Sequence, residues 1–573
     1  MSTEYTGPCA PWLKAYGTVP AHLAYPDASM VEMVEHAAAQ YPELTAYSFM
    51  GRAVTYRTFV EQIHQCARAL CASGIRPGDK VTICMPNTPH AIILFYALNR
   101  MGALANMVHP LSSEGELRFF INDSESVALL TLEQFYPKIA AIRAETGLRM
   151  LIIARIPDYL DPVKKVGYAL TKGRKLPTVP KAPDILLWKD FMARGKQYTG
   201  PYAVTLHAED PAAILYSGGT TGTTKGILLT NLNFNALAMQ TAAAGDCIVP
   251  GGIMLAILPI FHGFGLGVCI HTILIHGCQC VLVPQFTVDS VARLLRSTHP
   301  NYIAGVPTLF EALLRNQHMQ NVDLSGLRGV FSGGDSLSIE LKRKVDAFLK
   351  AHGSTEQVRE GYGTTECVTA SCLTPKSFHK EGSIGIPFPD TYYKIVTPAT
   401  HDEVPYGTVG EICISGPTVM REYVHQPRET AQTLQLHDDG HIWLHTGDLG
   451  YMDEEGFVYF KQRLKRMIVT SGYNVYPSQI ENVLDSHKSV LISTVIGVKD
   501  DYKMQKVKAF IVLKPGIEPT EELRQELFAL CRKNVARYAM PYEIEFRSNL
   551  PKTLVGKVAY TVLEKEEADK QHS

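Results

Sequence analysis

Apolar and polar positions alternate with two periods along this chain. Met30, Met33, Val34, Ala37, Ala38 and Tyr41 recur at helical spacing, with Glu32, Glu35 and Gln40 on the opposite side. Ser29-Met-Val-Glu32 just before them is a capping-box pattern, so an amphipathic helix packed on a core is predicted. Short apolar runs at 81–85, 127–131 and 150–154 read as buried strands, and 89–101 as a mostly apolar helix. Further strands are expected at 212–216, 226–230, 255–259, 301–307 and 329–335, each ending in a turn, with a polar glycine turn at 360–366. Such alternation predicts α/β sheets with helices on their faces.

From about Gly382 the pattern changes. Segments 410–415 and 457–460 alternate as a small β subdomain, with His445-Thr-Gly-Asp-Leu-Gly450 between them. Beyond Arg463-Leu-Lys-Arg466, the run Met467–Pro477, a helix at 479–487, strands at 490–498 and 508–513 and a last helix at 521–538 form a separate unit. The expected fold is therefore α/β. A large N-terminal domain, 1–463, holds α/β sheets and the β subdomain, and a small C-terminal α+β domain covers 464–573. Residues 157–200 interrupt the rhythm with five prolines. Lys164, Lys165, Lys172, Arg174 and Lys175 stand there around Val163, Val166 and Leu170. Two readings stand: a solvated surface insertion, or a basic amphipathic helix touching an anionic membrane.

The length of 573 residues exceeds one core, and 46% apolar with 19% charged residues is ordinary for a globular enzyme. Lysine plus arginine, 55, balance aspartate plus glutamate, 56, so no basic field points to nucleic acid. Twelve scattered cysteines, with Cys278 and Cys280 two apart and Cys367 and Cys372 five apart, match no zinc spacing and read as reduced thiols. No signal-peptide or transmembrane pattern is present, so a cytoplasmic enzyme is expected, with peripheral contact at the inner membrane surface through 157–200 as an option.

The chemistry concentrates in Tyr216-Ser-Gly-Gly-Thr-Thr-Gly-Thr-Thr-Lys-Gly226, between two apolar strands. Bare backbone, hydroxyls and one lysine are the equipment for holding a polyphosphate. Lys225 is followed by Gly226 rather than Ser or Thr, so this is not a Walker A loop. Four more motifs follow in order: Tyr362-Gly-Thr-Thr-Glu366, Thr446-Gly-Asp448, Arg463-Leu-Lys465 before Gly472-Tyr-Asn-Val-Tyr-Pro477, and Pro551-Lys-Thr-Leu-Val-Gly-Lys557.

Over roughly residues 25–565 this set resembles the AMP-forming acyl-CoA synthetase family of the adenylate-forming superfamily, and most of all its bacterial medium- and long-chain fatty acyl-CoA synthetases. The resemblance implies activation of a carboxylic acid as acyl-AMP, then thioester formation with coenzyme A, using ATP and Mg²⁺. It implies that Thr220, Thr221, Gly222, Thr223, Thr224 and Lys225 wrap the phosphates. It places Gly333, Gly334, Asp335, Gly361, Tyr362, Gly363, Thr364, Asp448 and Arg463 about the nucleotide, and Thr220 and Glu366 at the metal. Lys557, Thr365, Glu366 and His262 take the catalytic positions. Phe261, His262, Phe264, Gly265, Val306 and Gly333 line the acyl pocket. Lys465 is the hinge on which the small domain rotates to bring Ser471, Gly472 and Tyr473 to the thiol. A homodimer remains open.

The first functional expectation is a fatty acid:coenzyme A ligase. The alternatives are a CoA ligase for an aryl or bile acid, an acyl-AMP ligase loading a carrier protein, and a non-catalytic nucleotide-binding regulator.

Overall fold

The computed structural model describes residues 9–171, 173, 176–217, 224–470, 473–500, 504–553 and 558–572. Among them four sheets form. The first has nine strands, with a parallel centre built from Val358–Tyr362, Gly329–Ser332, Tyr302–Gly305, Ile253–Ala256, Gln279–Leu282 and Thr45–Phe49 in spatial order. The second has eight, with Lys80–Cys84, Ala128–Leu132 and Met150–Ala154 parallel at its heart. Alternate residues of each strand go to opposite cores, as a period of two requires. Met254 and Ala256 enter the central core while Leu255 and Ile257 enter an outer one. Leu130 and Ile152 join the same central core, whereas Leu129, Leu151 and Ile153 face a third cluster. The two sheets thus share one helix-filled core and carry further helices outside.

Helix Met30–Gln40 forms as predicted, with Ser29 and Glu32 bonded reciprocally. Val31 also turns inward, where its N–H donates to Asn99 Oδ1 at 3.0 Å. Pro211–Tyr216 and Gly226–Thr230 pair antiparallel, so the Gly/Thr segment joins a hairpin.

Several expectations are corrected. Residues 360–362 belong to strand Val358–Tyr362, and only Thr365–Cys367 turns, because Gly361 and Tyr362 pair with Leu373 and Cys372. Residues 445–450, to which the sequence pattern assigns no element, lie inside the long strand Ile442–Met452, which bonds on both sides to 410–415 and 458–463. The strand expected over 255–259 ends at Ala256, and the chain from Phe264 to His271 is π-helical rather than a turn. The expected insertion is partly framework: Ile185–Leu187 extends the second sheet, and Trp188 and Phe191 of helix Trp188–Gln197 are buried in the central core.

The C-terminal sheet joins Tyr473–Val475, Ile468–Thr470, Met504–Leu513 and Val490–Asp500, with Glu543–Arg547 parallel on Met504–Leu513. Helix Glu521–Asn534 stops short of the expected 538. It is not the last: Tyr560–His572 follows, tied down by buried Lys508 to Glu567 at 2.9 Å. No helix of the described residues is long and apolar enough to cross a membrane.

Candidate active site

The hairpin ends set the first wall. Ser217 N–H donates to Lys225 O at 3.3 Å, closing the segment between them. Thr220, Thr221, Gly222 and Thr223 lie outside the described residues, and Thr224 and Lys225 stand at the edge. A Cβ at Gly226 would meet Asp123 Oδ2 at 2.9 Å, a steric reason for glycine after the lysine. Lys225 Nζ lies 2.5 Å from Glu429 Oε2 and 4.6 Å from the centre of the Tyr423 ring. Tyr423 is held there because Glu422–Tyr423 pairs with strand Gly226–Thr230, Tyr423 opposite Ile227.

Glu366 sits across from this lysine in the turn Thr365–Cys367. Tyr423 Oη donates to Glu366 Oε1 at 2.8 Å, and Glu366 O accepts Met420 N–H at 2.7 Å. Thr364 N–H donates to Cys367 Sγ at 3.3 Å. The turn leaves through Val368, a β-branched residue at φ +63° and ψ −55°. Thr369 N–H bonds Cys367 O at 2.7 Å, so Val368 is the centre of a tight γ-turn of the strained hand. Glycines surround it closely. A Cβ at Gly263 would fall 1.7 Å from Val368 O, and one at Gly363 2.2 Å from Thr369 O. The Phe261–Gly265 and Tyr362–Val368 segments therefore interlock backbone to backbone.

The third wall comes from the β subdomain. Asp448 and Arg463 face each other across their strands, Arg463 Nε 3.1 Å from Asp448 Oδ1. Tyr362 Oη donates to Asp448 Oδ2 at 2.7 Å. The carboxylate is 1% exposed, which makes this pairing a requirement. Asp448 holds the Arg463 guanidinium above its ordinary range, and burial beside Asp448 raises the Tyr362 phenol. The Tyr362 ring lies 5.8 Å from Phe460, tilted 33°.

The apolar side is built around Phe264. A Cβ added to Gly333 would meet the Phe264 ring at 3.3 Å and Gly361 O at 3.1 Å. Gly265 would meet Pro259 O at 2.1 Å and must stay bare. Phe261 stacks near His109 at 4.2 Å, and His262 Nδ1 accepts Phe264 N–H at 3.2 Å. That bond orients His262 as a cap for the following helix. Phe261 and Phe264 pack on the central core, whereas Val306 packs on the outer one, so the structure divides that expected group. Gly334 takes φ +81°, and Asp335 Oδ1 turns back to accept Ser336 N–H at 2.9 Å.

Ser471, Gly472 and Lys557 lie outside the described residues. Lys465 and Tyr473 are described in backbone, in Leu464–Arg466 and Tyr473–Val475. Sequence reasoning missed Tyr423, Glu429 and Phe460, since none stands in a glycine motif. It also missed Arg359, and it read Glu360 only as the start of a polar turn, although both lie inside strand Val358–Tyr362. Arg359 is buried but committed, donating to Thr374 O, Gly245 O and Ala244 O at 2.6–2.7 Å. Burial pushes Glu360 up to about 8, and its Oε1 accepts Leu337 N–H at 3.1 Å.

Residues 34–424 match the AMP-binding enzyme family, and 479–557 match the AMP-binding enzyme C-terminal domain. Long-chain-fatty-acid–CoA ligase of Bacillus subtilis is 34% identical over 98% of this chain and 99% of its own. The protein of that name from Salmonella typhimurium is 34% identical over 96% of each. Among solved structures, ATP-bound MatB from Rhodopseudomonas palustris superposes with a TM-score of 0.82 at 26% identity, covering 95% of this chain and 99% of its own. The anthranilate CoA ligase AuaEII with anthranoyl-AMP gives 0.83 at 25%, covering 97% and 100%. The chain belongs to the AMP-forming acyl-CoA synthetase family of AMP-binding enzymes and is an ATP-dependent acid:coenzyme A ligase.

Proposed function

We propose that the acid is a fatty acid, joined to coenzyme A through an acyl-adenylate. The observation that carries this reading is the Phe264 ring laid against the bare backbone of Gly333, an apolar contact at the expected acyl pocket. The buried cation Arg359 is held by three backbone carbonyls, Thr374 O, Gly245 O and Ala244 O. The names of the bacterial relatives agree with this choice.

In this reading Thr220–Lys225 hold the β- and γ-phosphates. Arrival of the phosphates displaces Glu429 from Lys225. Asp448, oriented by Tyr362 and ion-paired with Arg463, takes the ribose diol. Gly333, Gly334, Asp335, Gly361, Gly363 and Thr364 border the adenine with Tyr362. Thr365 meets the α-phosphate, and His262 stands at the mouth of the acyl pocket. Glu366 fits a Mg²⁺ ion: it is a hard carboxylate donor, fixed through one oxygen by Tyr423, and Thr220 completes the protein's share. When bound, Mg²⁺ neutralises triphosphate charge. Lys557 neutralises charge built between carboxylate and α-phosphate. Rotation about Lys465 then withdraws Lys557 and brings Ser471, Gly472 and Tyr473 to the thiol.

Helix Pro162–Leu170 supplies a peripheral anchor. It is fastened by Tyr168 in the central core and by Lys164 Nζ on Met50 O at 2.6 Å. Val163, Val166 and Leu170 point outward, 82%, 61% and 59% exposed, beside Lys164 and Lys165. An apolar stripe flanked by lysines matches an anionic lipid surface.

The substrate assignment is tested by offering saturated fatty acids of graded length and aryl acids with ATP and coenzyme A and identifying thioesters by mass. Thioesters rising with alkyl length support it. Aryl thioesters alone would replace it.

A further inference from the structure

Away from the nucleotide walls, the β subdomain gathers three histidines from separate loops and strands. His401 follows strand Tyr392–Val396, His437 follows Leu434–Leu436, and His445 lies on Ile442–Met452. The antiparallel pairing of Leu434 with Leu444 and Leu436 with Ile442 folds the His437 turn back over its neighbour, and His437 N–H bonds His441 O at 3.1 Å. One ring nitrogen from each of the three lies within 4.8 Å of the others. We propose that His401, His437 and His445 bind one divalent transition-metal ion of the zinc class, at a site separate from the ATP-linked Mg²⁺.

The hydrogen bonds around the cluster are those a metal site needs. His445 Nδ1 is 3.1 Å from Glu411 Oε2, so the carboxylate takes the Nδ1 proton and leaves Nε2 as the lone-pair nitrogen. Glu411 is itself fixed, its Oε1 accepting Gly447 N–H at 2.9 Å. His401 Nε2 is 2.8 Å from Gln435 Oε1, and an amide oxygen only accepts, so Nδ1 carries that ring's lone pair. Two outer partners thus preset two tautomers for ligation.

His437 lies between them. Its Nε2 is 2.9 Å from His445 Nε2, and its ring stacks on His401 at 3.9 Å. It is 4% exposed, and Nδ1 has no hydrogen-bond partner among the described residues. The His401 ring is the exposed member of the three. An all-imidazole set suits Zn²⁺, Co²⁺, Ni²⁺ or Cu²⁺ and not Mg²⁺ or Ca²⁺, which want oxygen. Cys413 Sγ stands 3.6 Å from His445 Nδ1, on the carboxylate side of the ring, and is not a ligand here.

The test is a cobalt(II) titration of the full, metal-stripped chain in excess Mg²⁺, followed by visible absorption. The expected result is a saturable d–d band near one ion per chain, displaced by zinc, with no thiolate charge-transfer band. His437→Gln should abolish the band. His401→Gln, at an exposed position where the fold is safe, should weaken binding about tenfold or more. Only the pale spectrum of hydrated cobalt would overturn the proposal. So would a thiolate band growing with the d–d band, or parental affinity in His401→Gln.

Discussion

Tyr423 donates a hydrogen bond to Glu366 Oε1 at 2.8 Å, while the face of the same ring carries Lys225 Nζ at 4.6 Å. One aromatic side chain therefore positions both the anionic and the cationic group of the phosphate end. Tyr423→Phe keeps the ring and removes the bond to a charged acceptor, worth ~1.5–3 kcal/mol. Adenylation should slow by about tenfold or more, with a raised Mg²⁺ requirement. Pyrophosphate release measured against Mg²⁺ concentration checks this; an unchanged Mg²⁺ curve would remove Tyr423 from the account.

In the proposed mechanism Lys557 serves the first half-reaction only. Lys557→Ala should lower acyl-AMP formation by ~10²–10³ and spare thioester formation from supplied acyl-AMP. The two half-reactions, assayed separately, give the answer, and equal losses in both would contradict the assigned role.

Gly333 limits the space before Phe264. A larger side chain there must push the ring, 3.3 Å from the first added carbon. Gly333→Val should cut kcat/KM for long alkyl acids by about tenfold or more, and for short ones far less. A length profile of kcat/KM decides it; a uniform fall across lengths would place Gly333 outside the acyl wall.

Glu360 makes stability depend on pH. Burial lifts its carboxyl from 4.5 to about 8 in the folded chain. The unfolded chain ionises first, so the group's contribution is full below 4.5, falls as pH rises and is spent above about 8. Glu360→Gln keeps an acceptor for Leu337 N–H without the charge. Its Tm gain over the parent should widen from about pH 5 to about pH 9, and a gain independent of pH would reject this cause.

Much of this architecture was legible in sequence where a single period governs. The Ser29 helix and the parallel strands carry that period plainly, and the glycine motifs stand where side chains cannot fit. Gly226 against Asp123 and Gly263 against Val368 are two such positions. What escaped was set by distant pairing. Residues 445–450 carry no strand period and are held in a strand by neighbours on both sides. Tyr423 reaches Glu366 only because a two-residue strand pairs with 226–230. Tyr560–His572 is polar over most of its length, and its anchor, Lys508 to Glu567, joins residues 59 positions apart.

Surface contact is the remaining arm. Because Val163, Val166 and Leu170 stand outward beside lysines, the protein should sediment with anionic vesicles at low salt and release as salt rises. Val163→Glu with Leu170→Glu should abolish this without altering acyl-CoA synthesis in solution. Binding that ignores salt, or survives the double substitution, would reject the helix as anchor.

The most direct measurement of the central claim is product analysis with ATP, Mg²⁺ and a long-chain fatty acid, with and without coenzyme A. The account predicts pyrophosphate and enzyme-held acyl-AMP without coenzyme A, and acyl-CoA with equimolar AMP when it is added. Acyl-AMP that never passes to coenzyme A, or ATP split to ADP and phosphate, would contradict it.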